Sequence, residues 1–169
     1  MTPSIARTQL TADYSIPKII NGGWQLAAGH ALAHALDMKD AHNAFAELLD
    51  RGFDTFDCAD IYTGVEAFYG QIIAERRRAG LSLPQIHTKF VPDLKDLAHV
   101  DRAYVERVIE RSLSRLGVER LDMVQFHWWD FSVPGMMDTA FDLVRLQEKG
   151  KIRNIGMCNM DTQHLKMMV

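Results

Sequence analysis

The sequence predicts an α/β fold, an incomplete (β/α)8 barrel with five parallel strands present, and three observations carry that expectation. Short apolar runs alternate along the chain with longer segments of helical period. Strands separated by such helices pair in parallel through right-handed crossovers. Four polar residues, Asp57, Tyr62, Lys89 and His127, stand at or just beyond the trailing ends of the second, third and fourth runs. That is where (β/α)8 barrels gather their catalytic groups, because the carboxyl ends of neighbouring parallel strands open at one mouth. A doubly wound dinucleotide-binding sheet would instead carry GxGxxG after its first strand, and the chain has NGGWQLAAGH there. The length holds five strand–helix units, whereas a full barrel takes eight and about 250 residues.

Residues 1–18 read as an N-terminal extension and residues 19–169 as the partial barrel. The expected strands run from Ile19 to Trp24, Phe53 to Asp57, Gln85 to Phe90, Leu121 to His127 and Ile152 to Cys158. Between the first two, Ala41, Ala44, Phe45, Leu48 and Leu49 share one helical face, and Gly52 ends that helix. Glu66 opens the second helix, where a carboxylate suits the dipole, and the basic run at 76–78 reads as its solvated C-terminal end. The third helix starts at the N-cap Asp101, places Tyr104, Val105, Val108, Ile109, Ser112, Leu113 and Leu116 on one stripe, and stops at Gly117. The fourth runs from Met136 to Lys149 with Met137, Ala140, Phe141 and Val144 as its apolar stripe, ended by Gly150; Asp161 opens the last.

Composition supports one ordinary core: 47% of residues are hydrophobic and 24% charged. A net charge of -3 with dispersed Lys and Arg gives no electrostatic reason to expect nucleic acid or an anionic membrane. Two cysteines a hundred positions apart, Cys58 and Cys158, form no CxxC, so neither a disulfide framework nor a zinc site is expected and a reduced, cytoplasmic chain is. No run of the sequence has signal-peptide or membrane-span character. His30 and His34 read as surface histidines of a loop, and no metal is expected.

The four polar residues suit reduction of a carbonyl. Oxygen gains negative charge as hydride arrives at carbon, so a proton donor must stand within about 3 Å. A phenol, with an ordinary pKa of about 10, becomes a better donor–acceptor beside an ammonium, and a carboxylate holds that ammonium in place. An imidazole orients the substrate oxygen or shares its proton.

With those residues in view, the chain resembles the aldo-keto reductase family. FDCADIY is similar to its second-strand motif, with Asp57 and Tyr62 as two members of the catalytic tetrad. HTK supplies Lys89, LDMVQFHWW supplies His127, and GKIRNIGMCN matches the fifth-strand motif. The resemblance implies NAD(P)H-dependent reduction of an aldehyde or ketone, or the reverse oxidation of an alcohol. It makes Tyr62 the general acid, Lys89 and Asp57 its tuners and His127 the orienting group. It further implies that Asn159 holds the nicotinamide carboxamide, that Cys158 stands where Ser is usual, and that Gly23, Trp24, Gln25, Trp128 and Trp129 line the cofactor and substrate cleft. NADP(H) is the expected cofactor, with NAD as the alternative. Strands six to eight of the family have no counterpart in the sequence, so the resemblance implies that the chain is a fragment or truncated form. A cofactor-sensing or scaffold role without catalysis is the other reading. Neither the particular carbonyl nor the oligomeric state is legible.

Overall fold

The computed structural model describes residues 5–28 and 37–168. Its centre is one parallel sheet in chain order: β3 (Asn21–Gly22), β4 (Thr55–Asp57), β5 (Gln85–Phe90), β6 (Leu121–His127) and β7 (Ile152–Cys158). These follow an antiparallel hairpin of β1 (Arg7–Thr11) and β2 (Tyr14–Pro17). The helices are α1 (Met38–Asp50), α2 (Val65–Arg78), α3 (Arg102–Leu116), α4 (Met136–Glu148) and α5 (Thr162–Met168). Register sets Asp57 beside His87, Lys89 beside Gln125, and His127 beside Cys158. Side chains alternate faces along a strand, so these pairs share one face of the sheet, and Phe56, Ile86, Phe90, Val124 and Phe126 share the other. The second group is buried with Phe45, Phe68, Tyr69, Ile109, Leu113 and Leu143 of the helices. Each such side chain contributes roughly 1.5–3 kcal/mol by leaving water.

Local chemistry explains the helix ends. Asp37 accepts hydrogen bonds from the amides of Lys39 and Asp40 and starts α1 before the first residue of the expected stripe. Asp101 accepts from Tyr104 N at 2.7 Å, and Gly117, at φ 65°, terminates α3. The α2–α3 contact depends on Gly70: a Cβ there would lie 2.2 Å from the Arg115 carbonyl oxygen.

Several expectations change. The first strand shrinks to Asn21–Gly22, because the chain turns into a 3-10 segment at Trp24–Leu26. The N-terminal extension contains an ordered hairpin. Tyr14 is buried and its hydroxyl lies 3.0 Å from His87 Nε2, while Arg7 pairs with Asp54 and Arg153 stacks over the Tyr14 ring. Arg76 is not a solvated helix end: it is buried, pairs with Asp50 at 3.0 Å and donates to Ser82 O at 2.7 Å. The buried face of α4 is Met136, Thr139, Asp142, Leu143 and Leu146. Phe141 and Val144 of the expected stripe are exposed instead, beside a groove of about 280 Å³ shared with Ile155 and Met157. His30 and His34 lie outside the described residues. Among the described residues no helix is long and apolar enough to cross a membrane.

Candidate active site

Asp57 ends β4 and Lys89 precedes the last residue of the adjacent β5. Lys89 Nζ stands 2.6 and 2.7 Å from the two Asp57 oxygens and 2.7 Å from Cys58 O. An ammonium has three hydrogens, and all three have acceptors. Gln125, next to Lys89 in register, donates to Asp57 Oδ1 at 3.1 Å. Tyr62 lies in the loop that follows β4, its amide bonded to Ala59 O at 3.0 Å, and its ring centroid is 5.2 Å from Lys89 Nζ. Burial, followed by the charge of Asp57, moves the Tyr62 phenol above its usual value. This reverses the direction expected from a neighbouring lysine. The physical reason is that Lys89 is bound to Asp57 and to a backbone carbonyl, and faces the Tyr62 ring.

His127, at the end of β6, is 6% exposed. Its Nδ1 is 3.3 Å from Cys158 O. A carbonyl only accepts, so Nδ1 carries the hydrogen and Nε2 of the neutral ring carries the lone pair. Burial holds this imidazole below its ordinary value, which favours that neutral form. Nε2 is buried without a protein partner among the described residues. Trp129 packs its ring against His127 edge to face at 4.4 Å and donates Nε1 to Pro92 O at 2.7 Å, remaining 47% exposed.

Trp128 is different. Following His127 directly, it turns to the opposite face, is 2% exposed and donates to Val133 O at 3.2 Å. It belongs to the layer between sheet and helices and does not line a cleft with His127, which corrects the expectation drawn for it.

The residues expected at the cofactor are distributed around the same strand ends. Gly23 N donates to Asp57 O at 2.9 Å, and a Cβ at position 23 would lie 2.6 Å from the Tyr69 hydroxyl and 2.8 Å from Asp57 O. Only glycine lets the chain pass this close to β4. Trp24 and Gln25 follow it, exposed. Cys158 is half-buried opposite His127, with its thiol raised above the usual value by burial. Asn159 is exposed and adopts a positive φ of 52°. The exposed Asn159 side chain offers both an amide N–H donor and a carbonyl acceptor at the end of β7, the donor set that a carboxamide requires.

Three features escaped sequence reasoning. Gln125 was available from strand alternation, since it lies two residues before His127 on the same face. Asp60 and Glu66 are buried carboxylates, each paired with an arginine of α3 at 3.2 Å: Arg111 and Arg115 respectively. Burial and the charge of Glu66 push the Asp60 carboxyl up to about 7 despite its arginine, whose side chain is nearly half-exposed. No local signal marks such pairs. A concavity of about 920 Å³ lies elsewhere, between the C-terminal ends of α3 and α4 near Arg120 and Lys151, and includes none of the four residues.

Comparison with known proteins bears on the family and the fold. The sequence profile of the Aldo/keto reductase family matches residues 18–169. An aldo-keto reductase of Mycobacterium sp. strain KMS is 30% identical over 157 residues, covering 92% of this chain and 50% of its own length. The aldo-keto reductase YhdN of Bacillus subtilis is 30% identical over 167 residues, with coverage of 96% and 48%. Among solved structures, the thermostable aldo-keto reductase Tm1743 superposes with a TM-score of 0.78 at 24% identity, over 97% of this chain and 57% of that one. An aldo/keto reductase from Klebsiella pneumoniae, in complex with NADP and acetate, superposes with a TM-score of 0.70 at 28% identity, covering 90% and 49%. The chain thus spans about half the length of the curated relatives it matches, and its five parallel strands form part of a (β/α)8 barrel. The chain belongs to the aldo/keto reductase family.

Proposed function

We propose that this chain carries the catalytic tetrad of an NADP(H)-dependent reductase of aldehydes or ketones, with Tyr62 as proton donor, and that it represents the N-terminal part of a cytoplasmic full-barrel enzyme, residues 19–169 being the barrel portion. The observation that carries this reading is the clustering of Lys89, Asp57 and Tyr62, with the ammonium 2.6 Å from the carboxylate and 5.2 Å from the phenol ring. Reduced nicotinamide, when bound, supplies the hydride for the carbonyl carbon. Gly23, Trp24, Cys158 and Asn159 would hold it, and Gln25 and Trp129 would border the small-molecule carbonyl or alcohol.

The chain's own residues handle the proton. A phenol held above its usual pKa is fully protonated at neutral pH, the form that donates to a carbonyl oxygen gaining charge. Lys89 and Asp57 fix the place of the loop and balance charge beneath the phenol. His127, with its hydrogen on Nδ1, offers Nε2 as an acceptor. It therefore orients the hydroxyl of an alcohol; toward a carbonyl oxygen it must first take up a proton.

The test is a steady-state assay in a chain completed to eight strand–helix units. Tyr62→Phe should lower kcat by about 10²–10⁴. Equal, negligible turnover in both proteins would instead favour the non-catalytic cofactor-sensing or scaffold reading. For the 169-residue chain alone, fluorescence titration with NADPH should give a Kd weaker than about 1 mM; micromolar binding would show that this half supplies the main affinity.

A further inference from the structure

The loop that joins Asp57 to Tyr62 is fastened from behind by a residue outside the tetrad. Asp60 has a side chain 1% exposed. Its Oδ1 accepts from Val91 N at 3.1 Å and its Oδ2 from Arg111 Nη2 at 3.2 Å. The backbone of the same residue is engaged twice more: its amide donates to Lys89 O at 3.3 Å, and its carbonyl accepts from Arg115 Nη1 at 2.9 Å. Arg115 also reaches Glu66 Oε2 at 3.2 Å, and Glu66 Oε1 accepts from Thr88 at 2.8 Å. One residue thus connects three things: the loop bearing Tyr62, the strand end bearing Lys89, and helix α3.

We propose that Asp60 is a positioning residue for the Tyr62–Lys89 pair, and that Arg111 acts through it from the surface of α3. The proposal rests on the tetrad reading above. If the carboxylate lets go of Val91 N or of Arg111, the loop loses its side-chain tie to the segment after β5 or to α3 and keeps there only bonds of the backbone, so Tyr62 is held less firmly over Lys89. The surroundings make that attachment conditional. Asp60 shares its site with a second buried carboxylate, Glu66, and both counter-charges, Arg111 and Arg115, are 46% and 40% exposed. A cavity of about 300 Å³ bounded by Asp60, Tyr62, Glu66, Tyr104, Arg111 and Arg115 leaves the loop room to move once released. The raised Asp60 carboxyl fits a group poised between holding and releasing.

The experiment uses the 169-residue chain with 13C-labelled tyrosine, the Tyr62 ring resonance being assigned by its loss in Tyr62→Phe. Arg111→Met keeps length and removes the positive charge from a half-exposed position, Arg111→Lys restores that charge, and Asp60→Asn neutralises the carboxylate it pairs with. In Arg111→Met and Asp60→Asn the Tyr62 resonance should move and amide exchange at Ile61, Tyr62 and Val91 should rise about tenfold, with Val124 in β6 unchanged. Arg111→Lys should return both toward the parent. An unmoved Tyr62 resonance in the folded variants, whatever happens to their unfolding midpoints, would reduce Asp60 to a packing role and overturn the proposal. Should Asp60→Asn fail to fold, Arg111→Met decides alone. The resonance reports the loop whether or not any carbonyl is turned over, so this result and the turnover test above fail separately.

Discussion

The β4–β5 side and the β7 side of the sheet are made of similar strands, yet the residues of this chain cover the first more fully than the second. On β4 and β5 the polar groups of the inner face are matched within the chain: Thr55 with Gln85, Asp57 with Lys89, His87 with Tyr14. Behind them α2 and α3 bury ten side chains or more, including Glu66 and Arg76. On β7 only Ile152 is buried, the six residues from Arg153 to Cys158 are half-buried, and no residue of α5 is buried. Asp57 and Lys89 therefore lie on strands backed by a dense layer, with half-buried Tyr62 in the loop at their end. Cys158 and Asn159 lie at the end of the strand that is covered less. The chain orders the proton-handling half of the proposed site through its own core, whereas the groups proposed to hold the nicotinamide amide stand on its least covered strand.

Glycine substitutions probe that contrast most severely. Gly70→Ala places a methyl 2.2 Å from the Arg115 carbonyl oxygen and 3.2 Å from the Leu116 backbone, none of which is a movable side-chain end. Helices α2 and α3 must separate, and the expected loss in urea unfolding is about 3 kcal/mol or more. Gly156→Ala on β7 meets Met123 Sδ at 3.1 Å, the end of a flexible side chain, with Gln125 Cγ at 3.6 Å. Its expected change is within about 1 kcal/mol of zero. Comparable losses at the two positions would erase the distinction between the sides.

Removing one partner of the Asp57–Lys89 pair comes next. Lys89 is 11% exposed at its side chain and Asp57 25%. Lys89→Met leaves a carboxylate with only Gln125 as a side-chain donor among the described residues, and a loss of about 2–4 kcal/mol is expected, less than for a fully buried ion. Cys158→Ala on the β7 side should change unfolding free energy by less than about 1 kcal/mol. A small effect at Lys89 would mean that water reaches Asp57 as readily as it reaches β7.

How much of this was legible in the sequence follows from the range of each interaction. Period-two alternation sufficed to put Asp57, Lys89 and His127 on one face and Cys58 on the other, and the same rule, applied to FHWW, would have moved Trp128 to the core. Capping chemistry located both ends of α3 from Asp101 and Gly117. What stayed hidden was decided by partners distant in the chain. Arg76 looks like a solvated helix end until Asp50 and Ser82 close on it. Asp60 and Glu66 look like a turn residue and a helix opener until α3 delivers Arg111 and Arg115, 51 and 49 positions on. The stripe on α4 was periodic in two registers, and only the position of β7 selects which one is covered.

The pH dependence of stability tests the β4–β5 side from within. Burial holds His87 below the ordinary imidazole value of 6.5, so the unfolded chain binds its proton more readily than the fold does. The stability His87 contributes is fully present above that value and is lost as pH falls through it toward the folded pKa. Asp60 works in the opposite sense. Its raised carboxyl makes the fold the better proton binder, so its contribution is fully present below 3.8 and declines as pH rises toward about 7. The difference between the parent and His87→Gln therefore isolates the imidazole: the variant's urea midpoint should fall less steeply on acidification. Parallel curves would show that His87 takes up its proton in place, with Tyr14 yielding.

The smallest expected effect is a gain. The Tyr69 side chain is buried within a cluster of Phe45, Phe56 and Phe68, and its hydroxyl has no hydrogen-bond partner among the described residues. That hydroxyl lies against Gly23, whose amide is already committed to Asp57 O. A buried donor without an acceptor costs about 1–3 kcal/mol, part of which returns when the oxygen is removed and the ring is kept. Tyr69→Phe should thus stabilise the chain by about 1 kcal/mol, read as a Tm higher by about 2–4 °C. A loss of the same size would mean that the hydroxyl is bonded in solution, and would place the β3–β4 junction, with Gly23 at its centre, among the parts of the densely packed side that depend on a polar contact as well as on close packing.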